Sequence, residues 1–449
     1  MRIWNKRGCF ILAFLLSLVL GGVLFIFLTG KSTVRQLRAD HDRGLELIRE
    51  YWSKKPTRPV LRGEALSGNG GRKLAGVLAE IESEYAKPPW SLLFSDARGT
   101  LPEESKARLE EVYAHGKRFL PDVRDALLHE YCRLPFDYVE SGIGGDYLHS
   151  IHIRDRAFFL GGLLLRNARH LADQGEYAAA LRDVTDAIRL SHDLGRGTGM
   201  NAFHHHLNPG KGAAVELLAR LLHEYSVPSE AIEACLVEVS LLRTTRPNDS
   251  FGSVVEEYDP MISMFRQYQR QLTGETGHDL AAMMGLSIGV LRIGGLRLEL
   301  HHESFEEYRR IVRLEYSKAE AEIPDFMELD NRLRWLGAPH PLRTKEADLN
   351  DEMKLACLEA GLLAYLCRSS HEGTWPKTLA GCRELPLDPW GAAFLRYKPP
   401  AEAKPAIIYS ISMNRRDDQG EAETPFMGKS PDYVFPLGPW PETKQQESR

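Results

Sequence analysis

Basic charge is not in surplus in this chain: 57 Lys and Arg stand against 62 Asp and Glu, a net of −5. That balance excludes a broad nucleic-acid-binding surface, because a polyphosphate partner demands a cationic face. Cysteine is scarce, with six residues and no Cys-x-x-Cys pair, which argues against a zinc ribbon or a thioredoxin-type centre. Several catalytic signatures are missing as well. There is no Gly-x-x-x-x-Gly-Lys-[Ser/Thr], no His-Glu-x-x-His and no strand followed by Gly-x-Gly-x-x-Gly. Long apolar runs are almost absent, with one exception. What remains, 43% hydrophobic and 27% charged residues, is the composition of a folded chain. At ~150 residues per domain, 449 residues make two or three units.

The exception is residues 9–28, a run of 20 without a charge. As a helix rising 1.5 Å per residue, it matches the ~30 Å hydrocarbon core of a bilayer. Arg2, Lys6 and Arg7 precede it, and Lys31, Arg35 and Arg38 follow. Asp40 and Asp42 dilute the second cluster, so the N-terminus is placed inside. The exit, Leu28-Thr29-Gly30, puts a large residue where a cleavable signal wants a small one. Cys9 follows Lys6-Arg7-Gly8 and not the apolar residues of a lipoprotein signal. The run reads as an uncleaved signal-anchor that meets the lipid bilayer through residues 9–28. The expected location is the cytoplasmic (inner) membrane, single-pass, with the bulk extracytoplasmic. Setting aside Arg2, Lys6, Arg7 and Lys31 leaves 53 basic against 62 acidic residues, a net of −9.

Residues 32–343 carry helical periodicity. Leu74, Val77, Leu78, Ile81 and Tyr85 form one apolar stripe over 73–86. A second, over 103–130, contains Leu109, Val112, Phe119 and Leu120, with a break expected at Pro121. The clearest pair is 154–173 and 176–194, separated by Gly175, a residue free to take positive φ at a helix C-terminus. Gly175, Tyr177, Ala180, Leu181, Ala187 and Leu190 have the pattern of one tetratricopeptide-type unit, with Tyr177 expected in the gap between the helices. No second copy follows at a 34-residue period, so the region reads as a bundle of hairpins. A further pair is expected at 211–225 and 229–242, with Ser229 as N-cap, and another helix at 304–321.

Chemistry-bearing residues in this region are few. His204, His205 and His206 are consecutive, so on a helix they point about 100° apart and cannot share one ion. With Leu207-Asn208-Pro209-Gly210 behind them they read as the start of a polar turn. His149 and His152 share a helical face, and His301 and His302 are adjacent. Glu256, Glu257 and Asp259 form an acidic cluster, and residues 141–146 a glycine-rich loop. Of the cysteines, Cys357, Cys367 and Cys382 are near enough for one pair to bridge in an oxidising compartment; buried free thiols are the alternative, and spacing leaves both open.

The pattern changes at residue 344. A helix is expected from Asn350 to Ser369 or Ser370, with Met353, Ala356, Cys357, Ala360 and Leu363 toward a core. Turn residues follow at 373–376 and 385–391, and strands are expected at 394–398, 406–412 and 432–437.

The residues Trp375, Pro376, Leu379, Asp388, Pro389, Trp390, Gly391, Arg396, Tyr397, Tyr409, Ser410, Asp417, Asp418, Gly420 and Asp432 come in an order that resembles the C-terminal globular part of the type II secretion major pseudopilin. Similar tails occur on large membrane-anchored bacterial proteins of unassigned function, notably from planctomycetes. The resemblance implies a calcium ion in the loop between the last strands, held by carboxylates and backbone carbonyls. Asp417, Asp418 and Asp432 stand at the matching places, with Arg415 and Arg416 beside them. Gly8 stands where a pseudopilin has its leader glycine, but Ala13 stands where it has its assembly glutamate.

The expected architecture is therefore mainly α. An anchor (1–31), a helical-hairpin bundle (32–343), a small α+β segment with a short antiparallel sheet (344–440) and a polar tail (441–449) follow one another. The expected role is a non-enzymatic interaction or envelope-assembly module with a protein partner. No organic cofactor is expected; calcium is the one ion implied. Two alternatives are a membrane-anchored hydrolase using His149, His152 or His204 to His206, and a pseudopilin-like secretion component processed after Gly8.

Overall fold

A short strand, β1 (Leu66–Asn69), pairs in parallel with a later one, β2 (His129–Tyr131). Between them run α1 (Gly71–Glu84), α2 (Trp90–Arg98), α3 (Lys106–Gly116) and α4 (Leu120–Leu128). In this computed structural model the described residues are 46, 49, 60–85, 88–135, 147–198, 201–245, 341–382, 384–391, 393–401, 404–412, 414–421 and 432–439. The anchor run 9–28, Gly8, the loop 141–146, the acidic cluster at Glu256 to Asp259, His301, His302, the helix expected at 304–321 and the tail 441–449 lie outside them. Among the described residues no helix is long and apolar enough to cross a membrane. The chain divides into two units, and the elements above and below all belong to the one comprising Lys54–Gly142, Tyr147–Gly252 and Pro341–Arg449.

The stripe Leu74, Val77, Leu78 and Ile81 is buried as its spacing requires. The break expected at Pro121 falls earlier, in a 3-10 turn at Lys117–Phe119. Pro121 instead occupies the first turn of α4, where its missing N–H leaves no bond unmade. The short helix α2 was not foreseen; Trp90 and Phe94 bring it onto Phe158, with ring centroids 5.1 and 5.5 Å from that residue.

The hairpin at Gly175 forms as expected. α5 (Tyr147–Asp173) and α6 (Tyr177–Thr198) flank Gly175, which has φ +80°. The N–H of Gly175 donates to Ala172 and that of Glu176 to Leu171, closing the helix end. The ring of Tyr177 lies 6.0 Å from that of Tyr225, tilted against it. α7 (Asn201–Glu224) starts ten residues earlier than the expected helix at 211. The polar turn expected at His204 to Gly210 is therefore helical. Proline forgoes one backbone bond there, and the buried run Ala213 to Leu222 shows the packing that outweighs this loss. α8 (Ser229–Thr244) begins with Pro228 in the N-cap position, so Ser229 is the first helical residue and not the cap.

The last helix, α9 (Pro341–Ser370), starts nine residues before the expected cap at Asn350. The boundary expected between 343 and 344 therefore falls inside it. Residues 355–365 of α9 are buried without interruption, on every face. One side packs on α7 and α8, and the other on a three-stranded antiparallel sheet. That sheet consists of β3 (Arg396–Lys398), β4 (Ile407–Ser410) and β5 (Tyr433–Pro436), in that order, at the three places the residue pattern marks. The protein is thus mainly helical with a small antiparallel sheet near the C-terminus.

Gly361 lets the sheet approach: a Cβ there would lie 2.4 Å from Phe435 Cε1. Tyr365 adds a hydrogen bond from its hydroxyl to the carbonyl of Leu437, 3.0 Å. Gly361→Ala is expected to destabilise the chain by about 1–3 kcal/mol through overpacking. Phe435→Leu in the same background should recover part of that loss. Urea midpoints of the three proteins test this; an unchanged midpoint in the single variant contradicts it.

Candidate functional site

The tail motif builds its turn around Asp388, which is 1% exposed. Its Oδ1 accepts from Trp390 N (3.1 Å) and Ser410 Oγ (2.7 Å), and its Oδ2 from Ile411 N (3.0 Å). Arg396 stands 3.5 Å away as counter-charge. One buried carboxylate thus ties the Leu385–Gly391 turn to the end of β4 with charge-assisted bonds. Trp375 packs edge-on against Tyr365 at 5.2 Å, under the Arg368 guanidinium at 4.9 Å. Tyr397 donates to the carbonyl of Pro376, 2.8 Å. The motif residues hold the tail in shape.

The three acidic residues of the tail have different surroundings. Asp432 is fully buried, its Oδ2 accepting from Gly420 N at 2.7 Å. Among the described residues its Oδ1 is buried with no hydrogen-bond partner. Asp417 is exposed, with Oδ2 3.0 Å from Arg396 Nε and Oδ1 accepting from Gln419 N. Asp418 Oδ2 accepts from Asn414 Nδ2 at 2.6 Å. Hard carboxylate oxygens are the right donors for calcium, and the unpaired oxygen of Asp432 is what an ion would satisfy. Asp417 fits less well, since it would have to exchange its guanidinium for the ion. Arg396 supplies an ion pair to Asp417.

Cys367 and Cys382 are joined in a disulfide, with Cα atoms 5.7 Å apart. Closing a loop of this length restricts the unfolded chain by about 3 kcal/mol. Cys132, Cys235 and Cys357 lie outside the disulfide and are buried, and burial pushes the Cys357 thiol well up.

A second polar locus lies between α6, α7 and α9 and was not foreseen. Lys211 Nζ contacts Asp351 Oδ2 at 2.7 Å, and His192 Nε2 lies 3.8 Å from the same oxygen; all three side chains are 1% exposed. Beside them burial lowers the Lys354 pKa, opposed by Asp351 and Glu216, and raises that of Glu216, opposed by Arg98. The partners are 140 positions apart, so no local spacing marks them. His149 and His152 belong to the first turns of α5, and His204 to His206 to the start of α7. Their side chains lie outside the described ones.

No protein family, curated protein or solved structure matches this chain.

Burial holds the Asp432 carboxyl above its ordinary 3.8, with the Gly420 N–H opposing and the charges of Asp418 and Asp417 adding. A raised carboxyl pKa contributes stability that is complete below the unfolded value and lost as pH rises through the folded one. In calcium-free buffer Asp432→Asn should therefore gain stability relative to wild type as pH rises above the ordinary carboxyl value. Millimolar calcium should raise the wild-type Tm and leave that of the variant unchanged. Thermal melts across pH read both effects. A wild-type Tm indifferent to calcium removes the ion, and a difference that is flat with pH removes the burial argument.

Proposed function

We propose that the chain is a single-pass membrane-anchored protein whose helical body and pseudopilin-like tail form an interaction or envelope-assembly module, working by binding and not by catalysis. The observation that carries this reading is the use made of buried charge. Arg62 links Asp186 and Thr185 of α6 to Glu238 of α8. Arg124 of α4 holds Asp183 through both oxygens, and Asn167 joins the same carboxylate to Tyr113. Arg243 of α8 holds Glu359 of α9 at 2.6 Å. Each of these charges fastens one element to another, which suits a rigid body that presents a surface.

Three features support the finer reading. The run 9–28 is long and apolar enough for an anchor. The Cys367–Cys382 bridge is the chemistry of an oxidising compartment, which suits an extracytoplasmic bulk. The sheet of the tail lies on a helix of the bundle, so the tail is a fixed face of the body.

Two measurements test the proposal. The full chain should stay with the membrane after an alkaline carbonate wash, and a chain lacking residues 1–31 should be released; a full chain recovered in the soluble fraction contradicts the anchor. Chemical crosslinking on intact membranes should then capture a protein that is lost when residues 344–440 are replaced. An unchanged set of crosslinked proteins contradicts the role given to the tail.

A further inference from the structure

Cys367, His371 and Cys382 place three ligand atoms within 4.8 Å of one another. Cys367 is in the last turn of α9, and His371 is the first residue after it. Cys382 comes from the turn after Leu379, where its N–H donates to the Leu379 carbonyl. The end of α9 is held by contacts other than the bridge. The N–H groups of His371 and Gly373 both donate to the carbonyl of Arg368, and Arg368 Nε donates to that of Gly373 at 2.7 Å. Cys367 keeps its backbone when the bridge opens, and the turn that carries Cys382 is anchored by the buried side chain of Leu379.

His371 Nδ1 lies 3.9 Å from Cys367 Sγ and 2.8 Å from the Cys367 carbonyl oxygen. A tetrahedral zinc with Zn–S near 2.3 Å and Zn–N near 2.0 Å sets nitrogen and sulfur about 3.5 Å apart. The observed separation exceeds that by a few tenths of an ångström. Cys367 is buried, Cys382 half-buried and His371 exposed, so the group opens to solvent on one side.

We propose that the dithiol form of this chain binds one borderline divalent cation, of which zinc is the type, through Cys367 Sγ, Cys382 Sγ and His371 Nδ1, and that the disulfide is the closed form of the same site. A dithiol reductant opens it: two electrons and two protons pass to the bridge, the S–S bond breaks, and the reductant becomes a disulfide. Cation binding then displaces one proton from each thiol, because the thiolate is the ligand. His371 Nδ1 exchanges its contact with the Cys367 carbonyl for the cation, and water takes the fourth position. A disulfide oxidant reverses the sequence: it accepts two electrons from the thiolates, re-forms the S–S bond and releases the cation. Thiolates and imidazole select this class of ion over calcium, so the site is independent of the acidic loop at Asp432.

The test is a cobalt(II) titration of the full chain in detergent, reduced with dithiothreitol and freed of reductant under anaerobic conditions. One equivalent of cobalt should produce a thiolate-to-cobalt charge-transfer band that zinc bleaches. The oxidised chain should show no band. Cys382→Ser should lose it, His371→Ala should weaken cobalt binding by about tenfold or more, and Cys357→Ser should retain it. Absence of the band in the reduced wild-type chain overturns the proposal, as does an equal band in oxidised chain or in natively folded Cys382→Ser. The comparison of oxidised with reduced wild type needs no substitution, so it stands even if a variant fails to fold.

Discussion

The rest of this structure depends on a helix that has no face left for water. Residues 355–365 of α9 are buried on all sides. A helix apolar around its circumference is stable only when other elements cover it completely. α7 and α8 cover one side and the C-terminal sheet the other. The sheet is too small to be stable alone, since three short strands need an apolar support. The helix supplies that support, and the sheet supplies its missing cover.

Charge is arranged to fit the same constraint. Lys211 and Asp351 meet between α7 and α9 where each is 1% exposed. Arg243 and Glu359 pair between α8 and α9 in a part-buried setting, with side chains 20% and 12% exposed. A fully buried pair such as Lys211–Asp351 adds little net stability, but breaking it leaves an uncompensated charge, a penalty of about 3–5 kcal/mol; the part-buried pair acts in the same sense with less force. They therefore penalise any alternative packing of α9 more than they deepen the native one. Asp388 acts in the same way at the end of β4, binding turn and strand through one carboxylate.

Local patterns were legible in the residues. The Gly175 turn, the stripe of α1 and the three strands of the tail all rest on spacing and residue type within a few positions. The misses are of another kind. The starts of α7 and α9 were placed too late, because Pro209 and the polar stretch before Asn350 look like helix ends until their tertiary neighbours are known. Tyr177 meets Tyr225, the residue just after α7, and no local spacing reports that pairing. The ion pairs of Lys211, Arg62 and Arg243 join residues more than a hundred positions apart, and no periodicity reports such partners. Of the candidate sites, the acidic residues of the tail were legible by resemblance, with only Asp432 in buried surroundings. The group at Cys367, His371 and Cys382 was half visible: the cysteines were marked, but His371 joins them only through the turn that ends α9.

The central claim is that bundle and sheet form one cooperative unit around α9. Hydrogen exchange on the full chain, wild type against Asp351→Ala, tests it most directly. Asp351 lies on the bundle side of α9, remote in sequence from the strands. The account predicts that its loss lowers protection in Ile407–Ser410 and Tyr433–Pro436 by the same free energy as in α5 and α6. Strands that keep wild-type protection while the bundle loses it would contradict the claim.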